Sequence, residues 1–202
     1  MDAKTQLVHS LNNIGATQFG AYKLKSGIIS PFYLDLRILV SHPPVLRETA
    51  QVMAQYLSTL QFDRIAAIPY AALPIGTAVA LEMNRPLIYP RREKKDYGTG
   101  RAVEGEYRAG ETVVVIDDVI TTGVSKLQAI EPLKTAKLKV RDIVVLIDRE
   151  QGGAQQVAQR GYQVHSILKI TEVMEILQQA GKVTASQHRD VLAFLAQNGE
   201  VK

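Results

Sequence analysis

The chain of 202 residues contains no cysteine and no long uninterrupted apolar run. The first absence excludes disulfides, thiolate metal sites and a cysteine nucleophile. The second argues against a membrane span, which needs about 18 or more consecutive apolar residues. The N-terminus also lacks the apolar core of a signal peptide, so we expect a cytoplasmic protein. The four histidines, His9, His42, His165 and His188, do not show metal-ligand spacing, and we expect them to be structural or exposed.

The composition is that of an ordinary globular protein. Apolar residues make up 46% of the chain and charged residues 22%, and the length suits one domain with a sizeable core, which we expect to span 1–202. The net charge of +4 fits either nucleic acid or small anionic substrates. Its magnitude is too small to choose between these partners.

Apolar periodicity predicts an α/β protein. Helical spacing covers 3–14, two short strands follow at 19–24 and 28–36, and a helix opens at Pro43 and Pro44. Strands and helices then alternate, which indicates a parallel sheet covered on both faces. The candidate strands are 65–68, 87–89, 113–116, 143–147 and 164–168, and the candidate helices lie near 74–83, 124–136 and 153–160. Two further helices are predicted after Thr171 and after Thr184.

The most informative segment is 112–125. Its apolar residues 113–116 are typical of a buried strand, which we expect to end at the adjacent carboxylates Asp117 and Asp118. A turn of small and hydroxylated residues leads into a helix, and unpaired N–H groups at a helix start attract phosphate. Because like charges repel, the acidic pair should instead face sugar hydroxyls or Mg²⁺.

This segment resembles the phosphoribosyl-pyrophosphate (PRPP) motif of the type I phosphoribosyltransferases. That motif has four apolar residues, two acidic residues, two apolar residues or threonines, and then Thr-x-Gly-x-Ser/Thr, and every position matches. The resemblance implies the fold of that family. A central parallel sheet would be flanked by helices, with a small hood built from the N-terminal segment and a mobile loop.

The segment 91–110 is rich in glycine and charge and lacks apolar periodicity. A connection of this length inside a compact domain is usually functional or disordered. It is either a solvated surface loop or, beside a PRPP motif, a mobile catalytic lid that closes over pyrophosphate.

Four segments, in family order, resemble those of orotate phosphoribosyltransferases. Lys25-Ser26-Gly27 with 30–35 resembles the N-terminal substrate segment, 67–76 the second pyrophosphate loop, 91–98 the mobile loop and 148–153 the late orotate-contacting turn. The similarity is greatest to the orotate-transferring half of the bifunctional uridine monophosphate synthases. It implies Mg²⁺-dependent transfer of ribose 5-phosphate from PRPP to orotate, giving orotidine 5′-monophosphate and pyrophosphate for pyrimidine synthesis.

The resemblance also implies partners and site residues. The enzyme would be a homodimer whose mobile loop acts in trans, without nucleic-acid or membrane partners, and association with a separate orotidine monophosphate decarboxylase stays open. Mg²⁺ would be held mainly by PRPP, near Asp117 and Asp118. The catalytic residues would be Lys95, Asp117 and Asp118. Orotate would contact Lys25, Tyr33, Leu34, Thr121 and Arg149. PRPP would contact Lys25, Tyr70, Ala71, Arg91, Arg92, Lys95, Tyr97, Asp117, Asp118, Val119, Ile120, Thr121, Thr122, Gly123, Val124 and Ser125.

The chemistry of the transfer suits these residue types. Breaking the C1′–O bond builds positive charge on the ribose and negative charge on the pyrophosphate, so carboxylates near the first and cations near the second favour it. Orotate is a planar carboxylate, for which a guanidinium and a flat apolar neighbour form a receptor. Arg149 would supply the guanidinium, and Phe32 or Tyr33 the flat face.

Two positions depart from many bacterial members of the family. Ala71 stands where they carry a pyrophosphate-binding lysine, and Tyr97 stands where they carry a histidine. The bifunctional enzymes share both departures, which leave the pyrophosphate more dependent on Arg91, Arg92 and Lys95.

Other interpretations remain open at this point. A purine phosphoribosyltransferase would fit the PRPP motif, although a purine offers no carboxylate to Arg149. A regulator that keeps the fold and binds RNA or DNA would fit the basic charge, although interleaved surface aromatics are lacking. Among single residues, Lys25 could merely solvate a turn, Tyr33 could be core, and Arg149 could pair with Asp148 or Glu150 at the surface.

Overall fold

The computed structural model describes residues 2–24, 27–92 and 102–199. The predicted site residues Lys25, Lys95 and Tyr97 lie outside these ranges.

The centre of the fold is a six-stranded sheet with the order β5–β4–β3–β6–β7–β8. Neighbouring strands run parallel, except that β5 is antiparallel to β4. The carboxyl ends of the parallel strands therefore meet at one edge, where ligands bind in open α/β sheets. The strands are β3 Arg64–Ala67, β4 Leu87–Pro90, β5 Val103–Glu104, β6 Thr112–Ile120, β7 Lys139–Asp148 and β8 Gln163–Lys169.

Helices cover both faces of the sheet, as the alternating pattern predicted. They are α1 Ala3–Asn13, α2 Pro43–Leu57, α3 Ala72–Met83, α4 Val124–Thr135, α5 Gly153–Ala158, α6 Ile170–Gln179 and α7 Ala185–Asn198, with a 3₁₀ helix at Leu36–Ser41. One apolar cluster contains residues of α1, α2, α3, α6 and α7. The other contains residues of α4 and α5. Successive residues of β6 enter different clusters: Val114 lies in the first and Val115 in the second. Strand β6 is therefore buried on both faces.

The N-terminal strands form a separate antiparallel hairpin, β1 Thr17–Lys23 with β2 Ile29–Leu34. The C-terminal helix supports it, because the ring of Phe194 on α7 meets the ring of Phe32 on β2 edge to face at 6.0 Å. The hairpin thus supplies the N-terminal part of the predicted hood.

Three local features differ from the sequence prediction. Strand β6 does not end at Asp117 but continues to Ile120, because β7 extends beside it and pairs Val119 with Ile147. Strand β5 lies inside the segment 91–110, which was interpreted as a surface loop or a mobile lid, and its residue Val103 is buried. The 3₁₀ helix begins at Leu36, where a strand was still predicted. Along the described residues, no helix is both long enough and apolar enough to span a membrane.

Candidate active site

The loop between β6 and α4 has a geometry that can accept an anion. Gly123 is in the left-handed conformation with φ 78°, and α4 begins at Val124 without a side-chain cap within the described part of the chain. A Cβ atom at Gly123 would lie 2.5 Å from Val157 Cγ2, so both the backbone angle and the space require glycine. The exposed Thr122 and Ser125 flank this helix start. The backbone N–H groups of the first turn and these hydroxyls can together bind an anion.

The two carboxylates of the loop have different environments. Asp117 is 5% exposed and its Oδ2 lies 2.7 Å from Lys126 Nζ, while its Oδ1 accepts a 2.9 Å hydrogen bond from the Asp118 backbone N–H. Burial raises the pKa of Asp117 above the ordinary range of a carboxyl, and the Lys126 ammonium opposes that shift. Asp118 is half-buried and forms no ion pair within the described residues. Asp118 is therefore the carboxylate available to a ligand.

Lys126 is a functional candidate that the sequence interpretation missed. It is 4% exposed and lies on the same face of α4 as the buried Ile130 and Leu133. Positions 126, 130 and 133 follow the helical spacing that brings side chains to one face. This spacing could have identified Lys126 from the sequence, because a lysine on the apolar face of a helix requires a buried partner.

Arg149, which directly follows β7, is a buried cation beside this loop. It is 6% exposed, and its Cζ lies 4.3 Å from the centre of the Phe32 ring. Its Nε donates to Gln151 Oε1 at 2.8 Å, and its Nη2 donates to Ser30 Oγ at 3.2 Å. Burial lowers the pKa of Arg149 to about 10.

The alternative that Arg149 pairs with Asp148 or Glu150 is wrong. The Asp148 carboxylate accepts a hydrogen bond from the Glu150 backbone N–H, and the Glu150 carboxylate accepts one from the Thr171 N–H. Among the described residues, Arg149 therefore has neutral hydrogen-bond partners and no carboxylate partner.

The flat group against Arg149 is Phe32 and not Tyr33. Tyr33 is half-buried, its ring centre lies 5.5 Å from that of Tyr22, and its hydroxyl accepts a 3.0 Å hydrogen bond from Arg37 Nη2. Leu34 is also half-buried, at the end of β2. Phe32 thus links the hairpin to the turn that carries Arg149.

The loop after β3 brings together two further predicted residues. Tyr70 is exposed, and Arg92 Cζ lies 5.7 Å from the centre of its ring. The peptide bond between Pro69 and Tyr70 is cis, and Ala71 directly precedes α3. Arg91 instead forms a 2.9 Å ion pair with Glu104 of β5. Of the two arginines, Arg92 is therefore the one placed beside this loop.

Comparison with known proteins identifies relatives of this chain. The model of the phosphoribosyl transferase domain family matches residues 36–180. An orotate phosphoribosyltransferase of Pyrobaculum aerophilum is 38% identical over 95% of this chain and 98% of its own length. The bifunctional enzyme PyrF/PyrE of Nostoc sp. is 41% identical over 90% of this chain.

The solved structure of Leishmania donovani UMP synthase superimposes with a TM-score of 0.90, at 43% identity, over 97% of this chain and 43% of that one. The chain spans 38% of the length of the Nostoc enzyme and 41% of that of the uridine 5′-monophosphate synthase of Bos taurus. It therefore corresponds to one portion of each of these longer relatives.

Proposed function

The chain belongs to the orotate phosphoribosyltransferase family, and from this premise we propose that it transfers ribose 5-phosphate from PRPP to orotate in pyrimidine biosynthesis. The products would be orotidine 5′-monophosphate and pyrophosphate. The configuration at C1′ would invert, because the base attacks opposite the departing pyrophosphate.

The observation that carries the proposal is the buried, carboxylate-free environment of Arg149. A buried cation is costly unless an anion compensates it. An orotate carboxylate would supply that anion. The flat guanidinium of Arg149, which lies over the Phe32 ring, would favour a substrate with a flat ring. Adenine and hypoxanthine have no carboxylate, so the same environment disfavours a purine as the base.

The remaining groups have complementary roles in the proposed transfer. The start of α4, with Thr122 and Ser125, would hold the 5′-phosphate. Asp118 would lie near the ribose and stabilise the positive charge that develops as the C1′–O bond breaks. Lys95 and Arg92 would stabilise the departing pyrophosphate, and Arg91 would join them if its ion pair with Glu104 opened.

The donor set suits a metal that PRPP itself carries. Within the described ranges, no three carboxylates or histidines converge as a metal cage would require. Asp118 offers the oxygen ligand that Mg²⁺ prefers, so PRPP oxygens would be the main donors, with Asp118 nearby. When bound, Mg²⁺ would neutralise part of the charge on the pyrophosphate.

The quaternary arrangement is part of the proposal. Following the resemblance of 91–98 to the family's mobile loop, the enzyme would be a cytoplasmic homodimer in which Lys95 of one subunit acts in the site of the other. A separate orotidine monophosphate decarboxylase could then use the product directly. One domain would extend over 1–202.

The decisive assay follows the ultraviolet absorbance of orotate in the presence of PRPP and Mg²⁺. Adenine, hypoxanthine and uracil serve as control bases, and removal of divalent ions by a chelator tests the metal requirement. We expect orotate consumption that requires both PRPP and Mg²⁺. Activity with a purine, and none with orotate, would overturn the proposed substrate.

A further inference from the structure

The ammonium group of Lys126 joins three points around the candidate phosphate loop. It lies 2.7 Å from Asp117 Oδ2, it donates to the carbonyl oxygen of Val119, and it lies 3.4 Å from Ser125 Oγ. Asp117 and Val119 belong to β6, before the loop, whereas Ser125 belongs to the first turn of α4, after it. The buried lysine thus connects the end of β6 to the first turn of α4.

Burial distinguishes this lysine from a surface cation. Lys126 and Asp117 are 4% and 5% exposed, so water contributes little to holding the ammonium in place. Charge-assisted hydrogen bonds are about twice as strong as neutral ones. The loop backbone between Val119 and Ser125 is therefore constrained at both ends by one buried group.

We propose that Lys126 is a positioning residue for PRPP, which holds the ends of the 121–125 loop in the geometry that receives the 5′-phosphate. The proposal rests on the proposed function, because it takes PRPP as the ligand of this loop. Lys126 acts through the loop and does not itself touch the substrate. It also compensates Asp117, which leaves Asp118 as the carboxylate that faces the ribose.

The alternative is that Lys126 merely compensates the charge of Asp117. The two roles differ in what neutralising both partners would do. A neutral pair of similar volume would relieve the charge imbalance and is often as stable as the ion pair. It would not restore the hydrogen bond to the Val119 carbonyl oxygen. PRPP affinity in a variant without either charge therefore separates the two roles.

The test measures PRPP binding by isothermal titration calorimetry with Mg²⁺ and without any base. Lys126→Met is expected to weaken PRPP binding about 10-fold to 100-fold, since loss of a hydrogen bond from a charged group has effects of that order. The KM for orotate should change much less than the KM for PRPP. Lys134→Met, which removes an exposed lysine from the same helix, is the matched control and should bind PRPP normally.

The double variant Asp117→Asn/Lys126→Met guards against misfolding of the single variant. We expect it to unfold near the wild-type temperature and still to bind PRPP weakly. Wild-type PRPP affinity in either variant would overturn the positioning role. Wild-type protein that binds PRPP but does not consume orotate would refute the proposed base alone, and the Lys126 comparison would still be decided by calorimetry.

Discussion

A Cβ atom on Gly153 would stand 2.3 Å from the carbonyl oxygen of Thr121. This close approach joins the loop after β6 to the first residue of α5, just beyond the turn that carries Arg149. A Cβ atom on Gly123 would likewise lie 2.9 Å from the carbonyl oxygen of Gly153. The two glycines let the loop after β6 and the turn after β7 pack backbone to backbone, which would fix the distance between PRPP and orotate in the proposed reaction.

Gly153→Ala should therefore impair catalysis through a backbone shift. The added methyl group overlaps the Thr121 carbonyl oxygen, and overpacking of this kind costs about 1–3 kcal/mol of stability. We expect a lower melting temperature and a kcat/KM reduced about 10-fold or more for both substrates. Gly20→Ala is the control, because Gly20 is exposed and its added Cβ would meet its nearest neighbour at an ordinary 3.4 Å. Wild-type kinetics in Gly153→Ala would contradict the packing argument.

Replacing Arg149 should affect orotate selectively. Arg149→Ala removes the buried cation proposed to meet the orotate carboxylate, and loss of one partner of such a pair typically costs about 2–5 kcal/mol of binding. The KM for orotate should rise accordingly, with little change in the affinity for PRPP. Arg160→Ala, which removes an exposed arginine after α5, should leave both constants unchanged. An unchanged KM for orotate in Arg149→Ala would exclude its role as the carboxylate receptor.

The acidic pair should respond asymmetrically to neutralisation. Asp118→Asn should lower kcat strongly without a change in melting temperature, because Asp118 is half-buried and forms no ion pair within the described part of the chain. Asp117→Asn leaves Lys126 buried without its counter-ion, a change that costs about 3–5 kcal/mol. The melting temperature of Asp117→Asn should therefore fall together with its kcat. Steady-state kinetics and thermal unfolding monitored by circular dichroism test both, and equal melting temperatures for the two variants would contradict the assigned environments.

The sequence predicted the order of elements because the periodicity of each is local. The buried strand at 113–116 and the helix after it could be identified from their own residues. The partnership of Asp117 with Lys126 could not, because it depends on α4 folding back over β6. Strand β5 was missed for another reason, since two residues are too few to show any periodicity.

Long-range polar contacts were equally invisible in the sequence. His165 was interpreted only as structural or exposed. In the structure its Nδ1 lies 2.8 Å from the Tyr56 hydroxyl and its Nε2 lies 2.9 Å from Asp142 Oδ1, so it joins α2 to β7 and β8. The His165 ring contacts both partners directly, although Tyr56 is 109 residues away in the sequence. A structural role of His165 is confirmed, but its partners could be identified only from the fold.

Stability should depend on pH through the ion pair between Glu111 and Arg64. Arg64 Nη2 and Nε donate to the Glu111 carboxylate at 2.9 and 2.5 Å, and these hydrogen bonds lower the pKa of Glu111 to about 2. A carboxyl with a lowered pKa stabilises the fold fully above its ordinary pKa and loses that contribution as the pH falls toward 2. Glu111→Gln should thus melt below wild type at neutral pH, with a difference that shrinks in acid. Glu131→Gln, at an exposed pair, is the control, and a pH-independent difference would contradict the assignment.

Subunit mixing can test whether the loop acts in trans. Lys95→Ala, at a position outside the described residues, and Asp118→Asn should each be inactive as homodimers. If Lys95 acts in the neighbouring site, a mixed dimer holds both lesions in one site and neither in the other. Exchange of subunits should then restore about half of the wild-type activity per mixed dimer, since a symmetric dimer has two equivalent sites. If each loop served its own subunit, every site of the mixed dimer would carry one lesion and no activity would return. Confirmed exchange without recovery would thus refute the trans arrangement while leaving the proposed reaction intact.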